Sequence, residues 1–164
     1  VHPWANHHTG TLSINQAHNY TCGYHFKAER NGVITELGAY VNGTRTVRLW
    51  NKTTGALLAT ASVVGNNTWK YTKLTTPVYV TAGTNYTVAV YTAGSGASIR
   101  NSISAFPKTY DGITITGTTY ISGNARPTSS TTAGPMRGQA DIGGFYPVNS
   151  GSTPPAGNNT GNGS

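Results

Sequence analysis

Residues 44–92 decide the fold of this chain: TRTVRLWNKTTGALLATASVVGNNTWKYTKLTTPVYVTAGTNYTVAVYT. Short runs within them alternate apolar and other side chains, as in TVRLW, where Val47 and Leu49 oppose Arg48 and Trp50. The turn-forming strings NKTTG, GNN and AGT separate these runs. Period-two alternation, β-branched and aromatic content, and Gly/Asn/Pro punctuation together predict a series of short antiparallel strands. No window here carries the capped apolar stripe of a helix.

The flanking segments continue this pattern. YTCGYHFKA and VITELGAYV alternate, and the dipeptides Asn31-Gly32 and Asn42-Gly43 predict the turns that follow them. Further on, ITIT and TTYIS predict a hairpin around Gly117. The string GNARPTSSTTAGPMRG is typical of a long loop, and QADIGGFYPV of a closing strand.

These patterns predict one all-β domain. We expect an antiparallel β-sandwich or jelly-roll-like fold of roughly nine or ten strands. The domain is expected to span residues 20–148, after an irregular N-terminal arm at residues 1–19. Residues 149–164, NSGSTPPAGNNTGNGS, have the composition of a linker or disordered tail.

Composition indicates a polar surface with few charges. Only 9% of the 164 residues are charged, and the net charge is +7. The basic residues are scattered singly, without a Lys/Arg run or an RNA-binding motif, which disfavours nucleic acid as a partner. No apolar run approaches the roughly 18 residues that a membrane-spanning helix needs. An anionic glycan or cell envelope fits the basic charge better.

Two further features favour an exported protein. The chain begins at Val1 without an initiator methionine or a signal peptide, as a processed product would, and we expect it to be secreted. Cys22 has no second cysteine to pair with, so stability is expected to come from the core. Its position between Tyr20 and Tyr24 in an alternating run favours a buried thiol over an activated thiolate or an intermolecular bridge.

A family resemblance lies in three strings, YHFKAERNGVITELGAYV, TVRLWNKTTGALLATASV and TWKYTKLTTPVYVTAGTNYTVAVYT. The Leu-Trp before a glycine turn, the later Trp and the Pro-Val…Ala-Gly-Thr-x-Tyr run are the specific parts. Their order resembles a bacterial domain-of-unknown-function family found in secreted, multidomain and often carbohydrate-associated proteins. The resemblance implies a β-sandwich in an extracellular setting and carries over no catalytic residue. The chain departs from the family in its histidine-rich arm and polar tail.

Catalysis has little support in the sequence. The only acids are Glu29, Glu36, Asp111 and Asp141, of which the first two flank a predicted turn and could face each other across a hairpin. Asp111 precedes a glycine, as turn aspartates do, and Asp141 is expected to pair with an arginine or to cap a loop. The G-x-S-x-G elbow of serine hydrolases is missing from the sequence. We therefore expect a non-enzyme without a cofactor.

Metal binding has one candidate group, His2, His7 and His8, with His18 and His25 as further ligands. Flexible or packed histidines are the alternative, because the adjacent pair cannot point the same way in an extended segment. The scarcity of acids argues against a calcium site, which uses about six to eight oxygen ligands.

Aromatic side chains offer candidate stacking platforms for a glycan: Trp50, Trp69, Tyr71 and Tyr91. The alternative is that these rings belong to the core. Asn-x-Ser/Thr sequons give seven candidate glycosylation sites: Asn19, Asn42, Asn51, Asn66, Asn85, Asn158 and Asn162.

The sequence therefore favours a non-catalytic, secreted β-protein at a cell surface. The first hypothesis is a structural or adhesive subunit that assembles with copies of itself into a fibre, sheath or appendage. Its irregular termini would supply the contacts, by adding a strand to a neighbour's open edge. The second hypothesis is a carbohydrate-binding module that uses exposed Trp and Tyr rings.

Overall fold

The computed structural model describes residues 2–6, 11–16, 19–93, 97–137 and 139–148, with strand positions alone for residues 11–16, 97–104 and 133–137. The described residues form strands and no helix. The strands are β1 (Thr11–Gln16), β2 (Tyr20–Ala28), β3 (Gly32–Asn51), β4 (Leu57–Val80), β5 (Asn85–Tyr91), β6 (Ala97–Ala105), β7 (Lys108–Tyr110), β8 (Ile113–Ser122), β9 (Ala133–Arg137), β10 (Ala140–Gly143) and β11 (Tyr146–Pro147). The expected all-β class is confirmed, and the predicted tail at residues 149–164 lies outside the described residues.

Two antiparallel sheets hold these strands. The larger sheet has the order β10-β3-β5-β2-β8-β7, and β4 and β11 also pair with β3. The smaller sheet has the order β1-β6-β9. Within the described chain, β4 pairs with β3 alone, so it is an edge strand along its whole length. The β3–β4 turn at residues 52–56 follows the NKTTG signal as expected.

The turn signals at Asn42-Gly43 and at Gly65-Asn66-Asn67 do not end strands, and those two predictions were wrong. β3 runs through the first signal and β4 through the second. The two signals lie opposite each other, because Asn42 pairs with Asn66 and Gly43 with Gly65. A register shift next to Asn42 leaves Asn67 outside the ladder. Turn residues in both strands at one level bend the ribbon and leave it continuous.

The bend depends on special backbone positions. Gly43 has a φ of 88° and Asn67 a φ of 53°, a region that glycine and asparagine tolerate best. A Cβ on Gly65 would lie 2.3 Å from the carbonyl oxygen of Val41. The bend brings the two halves of β4 close together. The hydroxyl of Thr72 in the second half donates to the carbonyl of Ser62 in the first half at 2.6 Å. The first half of β3, at residues 36–39, therefore pairs with β10, whereas residues 46–51 pair with β5.

Three other expectations near the C-terminus have mixed outcomes. The prediction of a hairpin around Gly117 was wrong, because β8 continues through that glycine and pairs with β2 on both sides of it. The expected long loop ends early, since β9 begins at Ala133. The closing strand is confirmed as β10 and β11, separated by Gly144, which has a φ of 60°.

The core lies between β10 and strands β2 and β5 of the same bent sheet. β10 contacts β2 and β5 without hydrogen-bonding to either, so it packs over their face. Tyr24, Phe26 and Val88 from the sheet are fully buried in one apolar cluster with Ala140 and Ile142 from β10. Burial of this cluster is the main driving force for folding, at roughly 25 cal/mol per Å² of apolar surface.

Candidate functional site

The outer edge of β4 has no partner strand in the described chain. Hydrogen bonds along this strand go to β3 on one side, and the first half exposes two large apolar side chains, Leu57 (50% exposed) and Val64 (68% exposed). Residues 57–69 include neither a charged residue nor a proline. Soluble proteins usually protect an open edge with such residues. The second half of β4 has them, in Lys70, Lys73 and Pro77.

An aromatic pair, Trp69 and Tyr71, stands on the second half of β4. The two rings are nearly parallel, at 20°, with centroids 6.2 Å apart, and both side chains are half-buried. Tyr40 meets Trp69 edge-on from β3. Gly38 makes room for Tyr71, because a Cβ there would lie 2.2 Å from the tyrosine ring. Glycine opposite an aromatic residue thus lets the Tyr71 ring lie down across the strand.

The Tyr71 hydroxyl points into the protein towards Asp141. It donates to Oδ2 at 2.7 Å, and Tyr24 donates to Oδ1 at 2.7 Å. The carboxylate also accepts the backbone N–H groups of Trp4 and Ala5, each at 3.0 Å. Asp141 is fully buried, and burial raises its pKa while these hydrogen bonds oppose the rise. The expected arginine partner is therefore replaced by hydroxyl and backbone donors.

The two tyrosines respond to the same environment. Burial raises the pKa of Tyr24 well above its usual value, and the nearby charge of Asp141 adds to the rise. The pKa of Tyr71 is raised for the same two reasons. Both hydroxyls therefore stay protonated and act as donors at any physiological pH.

Residues 2–6, here called the N-terminal segment, pack on their own domain through this carboxylate. Trp4 is fully buried, stacked on Tyr24 and tilted against Phe106. His2 stacks on Tyr71 with ring centroids 3.6 Å apart. Its Nε2 lies 3.2 Å from Oε1 of Glu36. This part of the predicted arm is thus a piece of the domain.

A second irregular segment, residues 123–132, covers the opposite face of the larger sheet and is here called the outer loop. The Nε2 of His25 lies 2.8 Å from the carbonyl oxygen of Ser129 in this loop, and its Nδ1 lies 2.7 Å from the hydroxyl of Thr87. Burial lowers the pKa of His25, and the charges of Lys52 and Arg126 lower it further. The histidine is therefore a buried packing residue.

The four predicted glycan platforms do not form one surface. Trp50 is only 6% exposed, which leaves too little of its ring open to stack on a sugar. Tyr91 lies on β5, where its hydroxyl donates to Oδ1 of Asn19. Trp69 and Tyr71 alone are adjacent.

The histidine group is only partly described. His2 is engaged by Glu36 and Tyr71, whereas His7, His8 and His18 lie outside the described residues. In the ranges that the structure describes, no three metal-binding side chains gather at one place. A metal at the full histidine arm stays a prediction.

The carboxylates and the thiol lie apart from one another. β2 and β3 are not paired, so Glu29 and Glu36 do not face each other across a hairpin. Glu29 accepts a hydrogen bond from Thr114 instead. Cys22 is buried, with Sγ 3.7 Å from Oε1 of Gln139, as expected of a packed thiol.

The sequons differ in exposure. Asn19 and Asn66 are exposed, whereas Asn42, Asn51 and Asn85 are half-buried. Oδ1 of Asn51 accepts the backbone N–H groups of Thr53 and Thr54 and so shapes the β3–β4 turn. Asn158 and Asn162 lie outside the described residues.

Several of these contacts could not be read from the sequence. Asp141 and His25 join segments more than a hundred residues apart, and no local motif marks either. The alternation of β2 correctly put Tyr24 and His25 on opposite faces. The part of the chain that the structure describes contains no helix long and apolar enough to cross a membrane.

Comparison with known proteins gives a family and no function. A family model described as "Domain of unknown function (DUF4082)" matches residues 7–162, and the chain belongs to that family. No curated protein matches the chain. Membership agrees with the resemblance at residues 24–91, whereas the bacterial and secreted setting stays a prediction.

Proposed function

We propose that this member of the DUF4082 family is a non-catalytic structural domain that assembles with copies of itself outside the cell. The observation that carries the proposal is the outer edge of β4, which has no partner strand in the described chain. The edge of a sheet can bind a further strand through backbone hydrogen bonds.

A second copy of the chain fits this edge for two reasons. Antiparallel pairing of one strand with its own copy is self-complementary about a two-fold axis. Copies with a net charge of +7 repel each other, so contact is most favourable where neither copy carries charge. Residues 57–69 meet that condition, and Leu57 and Val64 would become buried there.

The edge of β4, and not the termini, provides the proposed contact between copies. The N-terminal segment packs on its own domain through Trp4 and Asp141. Residues 2–6 therefore do not support a contact with a neighbouring copy. The extracellular setting is supported by the low charge content and the Thr/Asn-rich surface. The exposed sequon at Asn66 lies on the same edge, and a glycan there would compete with pairing.

Analytical ultracentrifugation over a concentration series tests the proposal. We expect the protein to form dimers or larger species and Val64→Lys to weaken association at least tenfold, because it places two like charges across the interface. The matched control is Tyr146→Lys, which replaces an equally exposed apolar side chain on β11 and should leave association unchanged. A strict monomer, or equal loss in both variants, would overturn the proposal.

A carbohydrate-binding module is the second candidate, favoured by the adjacent and half-buried rings of Trp69 and Tyr71. Stacking on aromatic rings is the usual way in which such modules hold sugars. In a polysaccharide binding screen, Trp69→Ala should lose affinity at least tenfold, while Tyr146→Ala should not. A screen without any neutral polysaccharide ligand would remove this candidate.

A further inference from the structure

Three cationic side chains lie on elements that meet where the outer loop covers the larger sheet: Arg48 on β3, Lys52 in the β3–β4 turn and Arg126 in the outer loop. Nη1 of Arg48 donates to Oδ1 of Asn124 at 2.6 Å, which ties the strand to the loop two residues before Arg126. The guanidinium of Arg126 in turn lies over Gly55, where a Cβ would be 3.0 Å from Nη2. We name these three residues the basic patch.

The backbone around the basic patch is held rigidly. In the turn, Asn51 accepts the N–H groups of Thr53 and Thr54, and Gly55 has a φ of 77°, which suits glycine. In the outer loop, Ala125 donates to the hydroxyl of Thr21, and Pro127 is buried. The backbone that carries the charges is thus positioned before any ligand arrives, which lowers the entropy lost on binding.

No acidic side chain neutralises the basic patch. All four acids of the chain are described, and none forms an ion pair with any of the three cations. Glu36 is engaged with His2, Asp141 is enclosed, and Glu29 accepts from Thr114. The positive field is therefore open, and it reaches the buried ring of His25, whose pKa is lowered in part by Lys52 and Arg126.

We infer that the basic patch is a binding site for an acidic polysaccharide, whose carboxylate or sulfate groups it would hold. Guanidinium groups match the planar or tetrahedral oxygens of such anions with paired hydrogen bonds. The exposed hydroxyls of Thr53 and Thr54 and the amide of Asn124 offer partners for the sugar hydroxyls.

The chemistry disfavours single-stranded nucleic acid at the same place. Such ligands are held by exposed aromatic rings on which the bases stack. Trp50, the aromatic residue two positions from Arg48 on the same strand face, is nearly fully buried. A site that offers charges and hydroxyls without an open ring fits a polymer of acidic sugars better.

We would measure the affinity of the protein for polygalacturonate and for heparin at about 50 mM salt, because low salt preserves contacts between charges. Comparing the two polymers separates recognition of carboxylates from recognition of sulfates. The test protein is the triple variant Arg48→Gln, Lys52→Gln, Arg126→Gln. Its matched control, Lys70→Gln, Lys73→Gln, Lys108→Gln, removes three exposed charges elsewhere and has the same net charge. We expect the first triple to bind at least tenfold more weakly than the native protein and the control to bind within twofold of it.

Three outcomes would overturn the inference. Equal losses in both triples would mean that net charge alone attracts the polymer. Binding of single-stranded DNA as tight as that of either polysaccharide would assign the patch to nucleic acid. Absence of binding to both polysaccharides would remove the site. If Arg126→Gln disturbs folding, the single variant Lys52→Gln provides the test, because the exposed Lys52 side chain has no partner in the described chain. We expect this variant to lose two- to threefold in affinity for the polysaccharide.

Polysaccharide binding at the basic patch does not require self-assembly. A Val64→Lys monomer should bind each polysaccharide chain at one patch with unchanged intrinsic affinity, because Val64 lies on β4 outside the patch. Assembled copies should bind more tightly through several patches at once.

Discussion

The N-terminal segment and the outer loop are both irregular, and each forms hydrogen bonds to a buried titratable side chain of the β-structure. Asp141 accepts two backbone N–H groups of the segment, whereas His25 engages one backbone carbonyl of the loop. The segment adds a fully buried Trp4 to its polar contact, and the loop adds a buried Pro127. Each segment thus combines an apolar anchor with a hydrogen bond to a buried group.

The two buried groups differ in what they require. The Asp141 carboxylate accepts from five donors, and removing it leaves several buried N–H and O–H groups without a partner. The carbonyl of Ser129 can only accept, so Nε2 of His25 carries the proton and Nδ1 accepts from Thr87. The comparison teaches that the segment depends on a buried acceptor with several donors, whereas the loop receives one hydrogen bond from a histidine whose pKa is lowered by burial.

The largest expected effect comes from Asp141→Ala. It should lower the free energy of unfolding by about 3 kcal/mol or more, because buried donors lose their acceptor. Urea denaturation gives this value. Asp111→Asn, at an exposed turn position whose φ of 50° suits asparagine, is the control and should change stability by less than about 0.5 kcal/mol. A cost for Asp141→Ala as small as that of the control would show that the carboxylate does not hold the segment.

The second largest effect is expected from Trp4→Ala. It should lower the free energy of unfolding by about 3 kcal/mol, since it removes a fully buried indole. Because the buried indole anchors the segment, its loss should also free the amide hydrogens of Trp4 and Ala5 to exchange. Hydrogen exchange measures this release, and Trp4→Phe should retain most of the protection. Persistent protection in Trp4→Ala would mean that Asp141 holds the segment without the indole.

The smallest expected effect is the pH dependence from His25. Its pKa in the folded state lies below the unfolded value of about 6.5, so its contribution is fully present above that pH. The contribution is lost as pH falls through the folded-state value, at up to about 1.4 kcal/mol per pH unit. Unfolding free energies between pH 8 and about pH 4 should show this loss, and His25→Gln should reduce it. An unchanged slope in His25→Gln would assign the pH dependence to other groups.

The β-strand pattern could be predicted from the sequence at most places, and the exceptions have one cause. Asn42-Gly43 and Gly65-Asn66-Asn67 have the composition of hairpin turns, yet they lie opposite each other and bend a continuous ribbon. Gly117 likewise lies inside β8, where the outer loop packs closely and a Cβ would lie 2.6 Å from Oγ of Ser130. A glycine marks a close approach as readily as a turn, and the local sequence does not tell the two apart.

The candidate sites were harder to predict than the fold. Trp69 and Tyr71 were identified from their spacing on one strand face, which is a local property. The basic patch was not identified, because Arg48, Lys52 and Arg126 come together through the packing of the outer loop. The contact between Trp4 and Tyr24 likewise depends on tertiary packing.

The all-β class, the faces of β2 and the burial of Cys22 could be predicted from the amino-acid sequence, because side-chain alternation and turn chemistry act between near neighbours. The position of β4 at the edge of the sheet, the contact of Asp141 with the N-terminal segment and the basic patch became visible in the folded structure alone. Strand order and loop packing depend on contacts between distant parts of the chain, and no local sequence pattern predicts the free energy of those contacts.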